Sequence, residues 1–179
     1  MVFRNISPVQ VESFIRHELP GKLEKDLRLL NIVKEADLEC CAYYFLREYL
    51  KRDPSWQILA HRHSKRTGYY LDLLIFRTLK PRIAIEFKWN PKSISEKDRR
   101  SLRKAIKKLQ VNKAYFICAV RSTSDFEEIE QKTKTEKYRL HEVFVGLDLP
   151  PDKRKSWESK RRILYNPRPR KSPAKAFRS

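Results

Sequence analysis

Three charged side chains stand where charge is least expected. The segments Tyr69–Phe76 (YYLDLLIF) and Arg82–Trp89 (RIAIEFKW) are almost continuously apolar, yet the first contains Asp72 and the second Glu86 and Lys88. A charge in the middle of a buried strand costs several kcal/mol unless it is paired or bound to a cation. Side chains alternate along a strand, so Glu86 and Lys88, two residues apart, share a face. If the segments pair antiparallel with Asp72 opposite Glu86, then Phe76 meets Arg82. Residues 77–81 then form a five-residue connection, a common hairpin length. In that register the Asp72 and Glu86 Cβ atoms lie about 5 Å apart. Carboxylates that close repel each other, so one takes a proton or the pair holds a hard cation. Magnesium, bound by a few carboxylates with waters and phosphate oxygens completing its shell, suits the pair best. A structural salt bridge from Lys88 to Glu86 or Asp72 is the competing explanation, and it accounts for one pair better than for all three.

The elements that must position these residues follow from periodicity. Ser7-Pro8-Val9-Gln10 is a helix start, with a hydroxyl cap, Pro at the first helical position and Gln three residues after the cap. That helix is expected to end before Pro20-Gly21, and residues 22–30 carry Leu23, Leu27 and Leu30 on one face of another. A longer helix, about residues 34–51, places Leu38, Cys41, Ala42, Phe45, Leu46, Tyr49 and Leu50 at three- and four-residue steps. Asp53-Pro54 ends it. Glu39 aligns with Ala42 and Leu46, which puts it at the edge of the buried stripe. Strands are expected at Trp56–His61, at the two segments above, at Ala114–Val120 and at 141–147. Helices are expected at about 95–110 and near 124–134. Short connections make the first three strands an antiparallel meander, and a crossover helix precedes the fourth. The class is α/β with a mixed sheet, in two or three layers.

The stretch LDLLIF followed by IAIEFK resembles the PD-(D/E)xK phosphodiesterase superfamily. In that pattern an acidic residue on the second core strand precedes E-x-K on the third by ten to twenty residues. Here thirteen residues separate Asp72 from Glu86, and Lys88 takes the lysine position. The resemblance covers about residues 34–120 and implies a restriction-endonuclease-like core. That core is a mixed central sheet flanked by helices in the order α-β-β-β-α-β, here with an extra helix and strand. The proline of the pattern is Leu71 in this chain. The resemblance implies a metal-dependent nuclease hydrolysing phosphodiester bonds in DNA. Asp72, Glu86 and the Phe87 carbonyl would hold Mg2+, for which Mn2+ substitutes. Lys88 would orient the attacking water and stabilise charge on the phosphorane. A glutamate on the first core helix of many members reaches the metal; Glu39 looks like that residue, with Glu35 as the alternative. Two-strand cutting in this superfamily often uses a homodimer, although nothing in the sequence marks an interface. Restriction, repair, recombination and mobile-element roles all stay open.

Composition supports a nucleic-acid partner. The chain of 179 residues has 41 Lys+Arg against 22 Asp+Glu, a formal net charge of +19. Such an excess with interleaved aromatics points to a polyanion. Two other functions fit the same charge: a non-catalytic nucleic-acid-binding protein on the same fold, and an RNA-processing nuclease. Candidate phosphate contacts are Arg62, Lys65 and Arg66 in the His61–Arg66 loop, Asn90 after the lysine strand, and Arg99, Arg100, Arg103 and Lys104 on the 95–110 helix. That helix carries seven cations opposed only by Glu96 and Asp98. His61 and His63 have no third ligand in their own segment, which argues against a metal site there. Residues 151–179 hold 11 Lys+Arg against 2 Asp+Glu, and prolines at 151, 167, 169 and 173 mark a flexible basic tail. The organisation expected is a helical extension, 1–33, a nuclease-like core, 34–150, and that tail. Three cysteines form no disulfide framework, and no apolar stretch spans a membrane or resembles a secretory leader. An intracellular, cytoplasmic protein is expected. Lys153-Arg154-Lys155 and Lys160-Arg161-Arg162 would suit nuclear import in a eukaryote.

Overall fold

A computed structural model describes residues 5–64, 68–91, 94–120, 140–147, 149 and 151–165. Ser7 caps α1 (Pro8–Ser13) in the expected capping box: its side chain accepts from the Gln10 N–H while the Gln10 side chain accepts from the Ser7 N–H. The helix does not stop before Pro20. It widens into a π turn at Phe14–Glu18 and resumes as α2 (Leu19–Arg28). Proline lacks an N–H and crowds the preceding turn, but the wider turn absorbs the mismatch and leaves Pro20 in the first turn of α2, where no donor is needed. Leu19, Leu23 and Leu27 are buried, whereas Leu30 turns left-handed and leaves the helix.

Helix α3 (Glu35–Leu50) buries Leu38, Glu39, Ala42, Leu46 and Leu50. The Tyr49 ring stacks on Phe14 at 4.2 Å, fastening the π turn to α3. Five strands form one mixed sheet in chain order: β1 (Trp56–Ser64), β2 (Tyr69–Arg77), β3 (Lys80–Trp89), β4 (Lys113–Val120) and β5 (Leu140–Gly146). The first three are antiparallel neighbours, and β4 and β5 continue in parallel. Helix α4 (Glu96–Lys108), capped by Ser95, lies between β3 and β4 in the chain and packs on β2, β3 and β4. Helix α3 packs on β1 and β3, and α2 on β5 and α3.

The core has two halves. Leu74, Ala84, Ala114, Phe116 and Cys118 pack with Leu102 and Ala105 of α4. By alternation the buried Ile75, Ile83, Ile85, Phe87, Tyr115 and Ile117 face the other way. Leu71 joins the α4-side cluster together with Leu74. Residues three apart on a regular strand face opposite ways, so alternation is interrupted between them, around Asp72.

The β2–β3 register is Leu73↔Ile85, Leu74↔Ala84 and Ile75↔Ile83, which extrapolates to Asp72 opposite Glu86. The expected five-residue connection is absent. A bulge at Ile75/Phe76 shifts the ladder so that Phe76 meets Pro81 and Arg77 meets Lys80. The strands are joined by Thr78-Leu79 alone, both left-handed at φ 49° and 63°. Positive φ at both central residues is the turn whose twist matches a two-residue hairpin. The expected helix near 124–134 lies outside the described residues.

The chain divides into two units, Met1–Asp148 and Leu149–Ser179. The second is helical over α5 (Pro151–Tyr165) instead of a flexible tail throughout. In the sequence its prolines fall at 150 and 151, where the helix starts, and at 167, 169 and 173, beyond its last residue, where proline is compatible with a helix start and stop.

Candidate functional site

Asp72 lies where β2 and β3 begin to part. The ladder stops at Leu73↔Ile85, and the Phe87 N–H, which on a continued ladder would reach a β2 carbonyl, donates to Asp72 Oδ2 at 2.8 Å. The Phe87 carbonyl points to the same edge of β3 as its N–H. Burial raises the Asp72 pKa, opposed by the Phe87 hydrogen bond and the Lys88 charge.

Glu86 follows on β3 and is only 8% exposed. Its Oε1 lies 3.3 Å from Lys88 Nζ, whereas Oε2 is buried with no hydrogen-bond partner. Burial and then the Asp72 charge push its pKa to about 7. Lys88 Nζ has two further carboxylates around it, Asp98 at 3.6 Å and Glu35 at 3.8 Å. Burial alone would lower the Lys88 pKa, but Glu86, Glu35, Asp98 and Asp72 together outweigh it and raise it. The ammonium therefore stays charged.

The first turns of α3 supply both glutamates considered from sequence, each to a different part of the site. Glu39 points inward, 7% exposed, and its Oε1 lies 2.9 Å from His61 Nε2. Glu35 is exposed, and its Oε2 accepts the Trp89 N–H at 3.0 Å. Burial and then the Asp72 charge push the Glu39 pKa to about 7, with His61 opposing. Among the described residues, Glu39, His61 and Asp72 each offer a ligand atom within 4.8 Å of the others.

One member of the site, Asp98, is not legible in the sequence, and Glu35 and His61 take parts that the sequence does not assign them. Asp98 stands at the third position of α4, its N–H donating to the Ser95 hydroxyl at 3.2 Å, so it reads locally as a helix-start residue. Glu35, expected as an alternative metal ligand, instead pairs with Lys88. His61 lacks a third ligand in its own segment but meets Glu39 and Asp72 from other elements. The β1–β2 pairing of Ala60 with Leu73 and of Arg62 with Leu71 leaves His61 opposite Asp72.

The expected phosphate contacts separate. Arg99 is buried at 8% exposure, lies 3.6 Å from Glu142 of β5 and donates weakly to the Ile94 carbonyl. It faces the protein and not solvent, because α4 turns that position toward the sheet. Arg100 is exposed, Lys104 is half-buried, and Arg103 is half-buried with Glu96 at 2.8 Å. Lys97, Lys107 and Lys108 add to the solvent side of α4. Asn90 adopts a left-handed conformation and donates its N–H to the Ala119 carbonyl at 2.7 Å, which bends the chain away at the end of β3. Arg62 lies on β1 opposite Leu71. Lys65 and Arg66 lie outside the described residues.

No helix among the described residues is long and apolar enough to cross a membrane. Comparison with protein-family models, curated proteins and solved structures finds no match for this chain.

Proposed function

We propose that the protein is a metal-dependent nuclease that hydrolyses phosphodiester bonds in DNA, on a restriction-endonuclease-like core. The observation that carries this reading is the gathering of Glu39, Asp72 and Glu86 around one end of β3, with Lys88 beside them. All three carboxylate pKa values are raised, and two buried oxygens, Glu39 Oε1 and Glu86 Oε2, have no hydrogen-bond partner. Buried carboxylate oxygens without a hydrogen-bond donor call for something else to satisfy them. Carboxylate and carbonyl oxygens form a hard donor set, which fits Mg2+ or Mn2+. Asp72, Glu86 and the Phe87 carbonyl would hold the ion, with Glu39 alongside. When bound, such an ion supplies a Lewis acid for the phosphate and lowers the pKa of a coordinated water.

Lys88 is positioned to act on the phosphate. It is held on three sides by carboxylates and kept cationic, so it offers a fixed positive charge to the oxygens that become more negative as water adds to phosphorus. A lysine suits this better than an arginine because its ammonium is a compact charge on a movable stem. Glu35 and Asp98 keep that stem from swinging onto Glu86 alone. The element order α3-β1-β2-β3-α4-β4 supports the same reading. The net charge of +19 and the solvent side of α4 supply attraction for a phosphate backbone.

The test incubates wild type and Glu86→Ala with labelled duplex, branched and single-stranded DNA and with RNA, in Mg2+, Mn2+ or EDTA. Cleavage of DNA by wild type alone, and only with metal, is expected. Preferential cleavage of RNA would reassign the substrate. Tight binding without cleavage of any substrate would replace the enzyme with a non-catalytic nucleic-acid-binding protein.

A further inference from the structure

We infer that Glu39, His61 and Asp72 form a second metal position beside the one at Asp72 and Glu86, and that the imidazole makes it favour a transition ion such as Mn2+ over Mg2+. The inference rests on the site being a metal centre, and it adds a ligand, a location and a preference.

The three side chains come from α3, β1 and β2, and each offers one donor atom within 4.8 Å of the other two. Ligand atoms bound to one octahedral ion at about 2.1–2.3 Å lie no more than about 4.6 Å apart, so small rotations of these side chains bring them onto one ion. Glu86 is not part of this grouping, which leaves Asp72 shared between the two positions.

A second observation points the same way. Glu39 is 7% exposed, and its Oε1 is buried without a hydrogen-bond donor even though His61 Nε2 stands 2.9 Å away. The imidazole thus pairs with the carboxylate by charge when protonated, but no ring N–H is aligned on the oxygen as a hydrogen bond. A ring nitrogen beside a buried carboxylate oxygen that no N–H satisfies is an arrangement a cation completes. His61 is 73% exposed at its side chain, so it reaches inward from the open side of the site. No buried packing depends on it.

The donor set decides the ion. Mg2+ favours oxygen ligands and keeps several waters, whereas imidazole nitrogen suits first-row transition ions, and Mn2+ accepts carboxylate oxygen as well. One nitrogen and two carboxylates match the transition ion, while Asp72, Glu86 and a carbonyl match Mg2+.

The test loads the metal-free full-length chain with Mn2+ and measures stoichiometry and pulsed electron paramagnetic resonance. Wild type should bind two ions, one showing nitrogen-14 coupling. His61→Ala should bind one ion without that coupling and lose about tenfold or more in affinity for the other. Its Mg2+ affinity at the remaining position should stay within about twofold. Glu39→Gln should weaken the same position while retaining the His61 side chain. Absence of nitrogen coupling in wild type, or unchanged Mn2+ binding in His61→Ala, overturns the inference. Cleavage assays on the same samples separate it from the nuclease reading. Nitrogen coupling without cleavage of any nucleic acid leaves the metal position and discards the nuclease. Cleavage without nitrogen coupling discards only the second position.

Discussion

At the scale of single residues, the site is a balance between buried carboxylates and one lysine. Lys88 has the clearest chemical part. Replacing it by alanine removes the fixed charge near the phosphate but leaves the basic surface intact. Lys88→Ala should therefore slow cleavage by about a hundredfold or more and leave DNA affinity within about twofold. Parallel rate and binding measurements check this, and comparable cleavage by mutant and wild type would refute the role. The carboxylates make a second claim. Burial and the Asp72 charge lift both Glu39 and Glu86 from 4.5 to about 7 in the folded chain. The folded state then holds protons that the unfolded state has already released above pH 4.5. Their contribution to the stability of the metal-free protein is fully present below that pH and is lost as pH rises through about 7. Melting in EDTA from pH 5 to pH 8 should show a falling Tm, and Glu86→Gln should flatten the fall. Divalent metal should restore wild type at pH 8 and restore Glu86→Gln much less. A Tm that rises over this range without metal would contradict the burial of these groups.

At the scale of elements, the β2–β3 hairpin shows how a local cost is retained to set a register. Thr78 and Leu79 occupy left-handed conformations that disfavour residues with a side chain, above all a β-branched one. Leu79 is also exposed, so no packing compensates it. Asn-Gly is the pair this turn prefers. Thr78→Asn combined with Leu79→Gly should stabilise the protein by about 1 kcal/mol, read as a rise in Tm with unchanged metal binding. An unchanged or lower Tm would show that the turn is held by something other than its two central residues. The same hairpin carries the bulge at Ile75/Phe76, and it is this bulge, not a longer loop, that reconciles a two-residue turn with Asp72 opposite Glu86. At the far end of β2 the left-handed His61 and the broken alternation around Asp72 open the sheet to α3. Regular strands there would have turned Asp72 away from Glu39.

At the scale of the whole molecule, charge is unevenly divided. Residues 151–179 hold 11 Lys+Arg against 2 Asp+Glu, so that segment carries +9 of the total +19. It belongs to a unit separate from the one that holds the carboxylates. Removing residues 149–179 should therefore weaken DNA binding about tenfold or more at 0.1 M salt, make the salt dependence of affinity shallower, and spare the cleavage rate at saturating DNA. Titrations at several salt concentrations, with cleavage measured alongside, check this. An unchanged salt slope would assign the phosphate contacts to α4 and the rest of the larger unit.

Much of this protein is written in short-range pattern. Near-continuous apolar runs in YYLDLLIF and RIAIEFKW mark the strands, and the charges within them mark the site. Steps of three and four mark α3 and place Glu39 beside its buried stripe, and Ser7-Pro8 with Gln10 determines where the first helix begins. These features depend on neighbours within a turn or a pleat, so the sequence alone determines them. The tertiary structure decided what depends on packing between distant segments. It let the helix run through Pro20 by way of a π turn, because Phe14 is held against Tyr49 of α3. It turned Arg99 inward toward Glu142, a residue more than forty positions away on β5. It placed Glu35 and Asp98 from opposite layers around Lys88, and brought His61 to Glu39 through a left-handed break in β1. Local periodicity states which face a side chain takes on its own element. Which other element meets that face is set by the layers closing over the sheet, and there the carboxylates, the lysine and the histidine become one site.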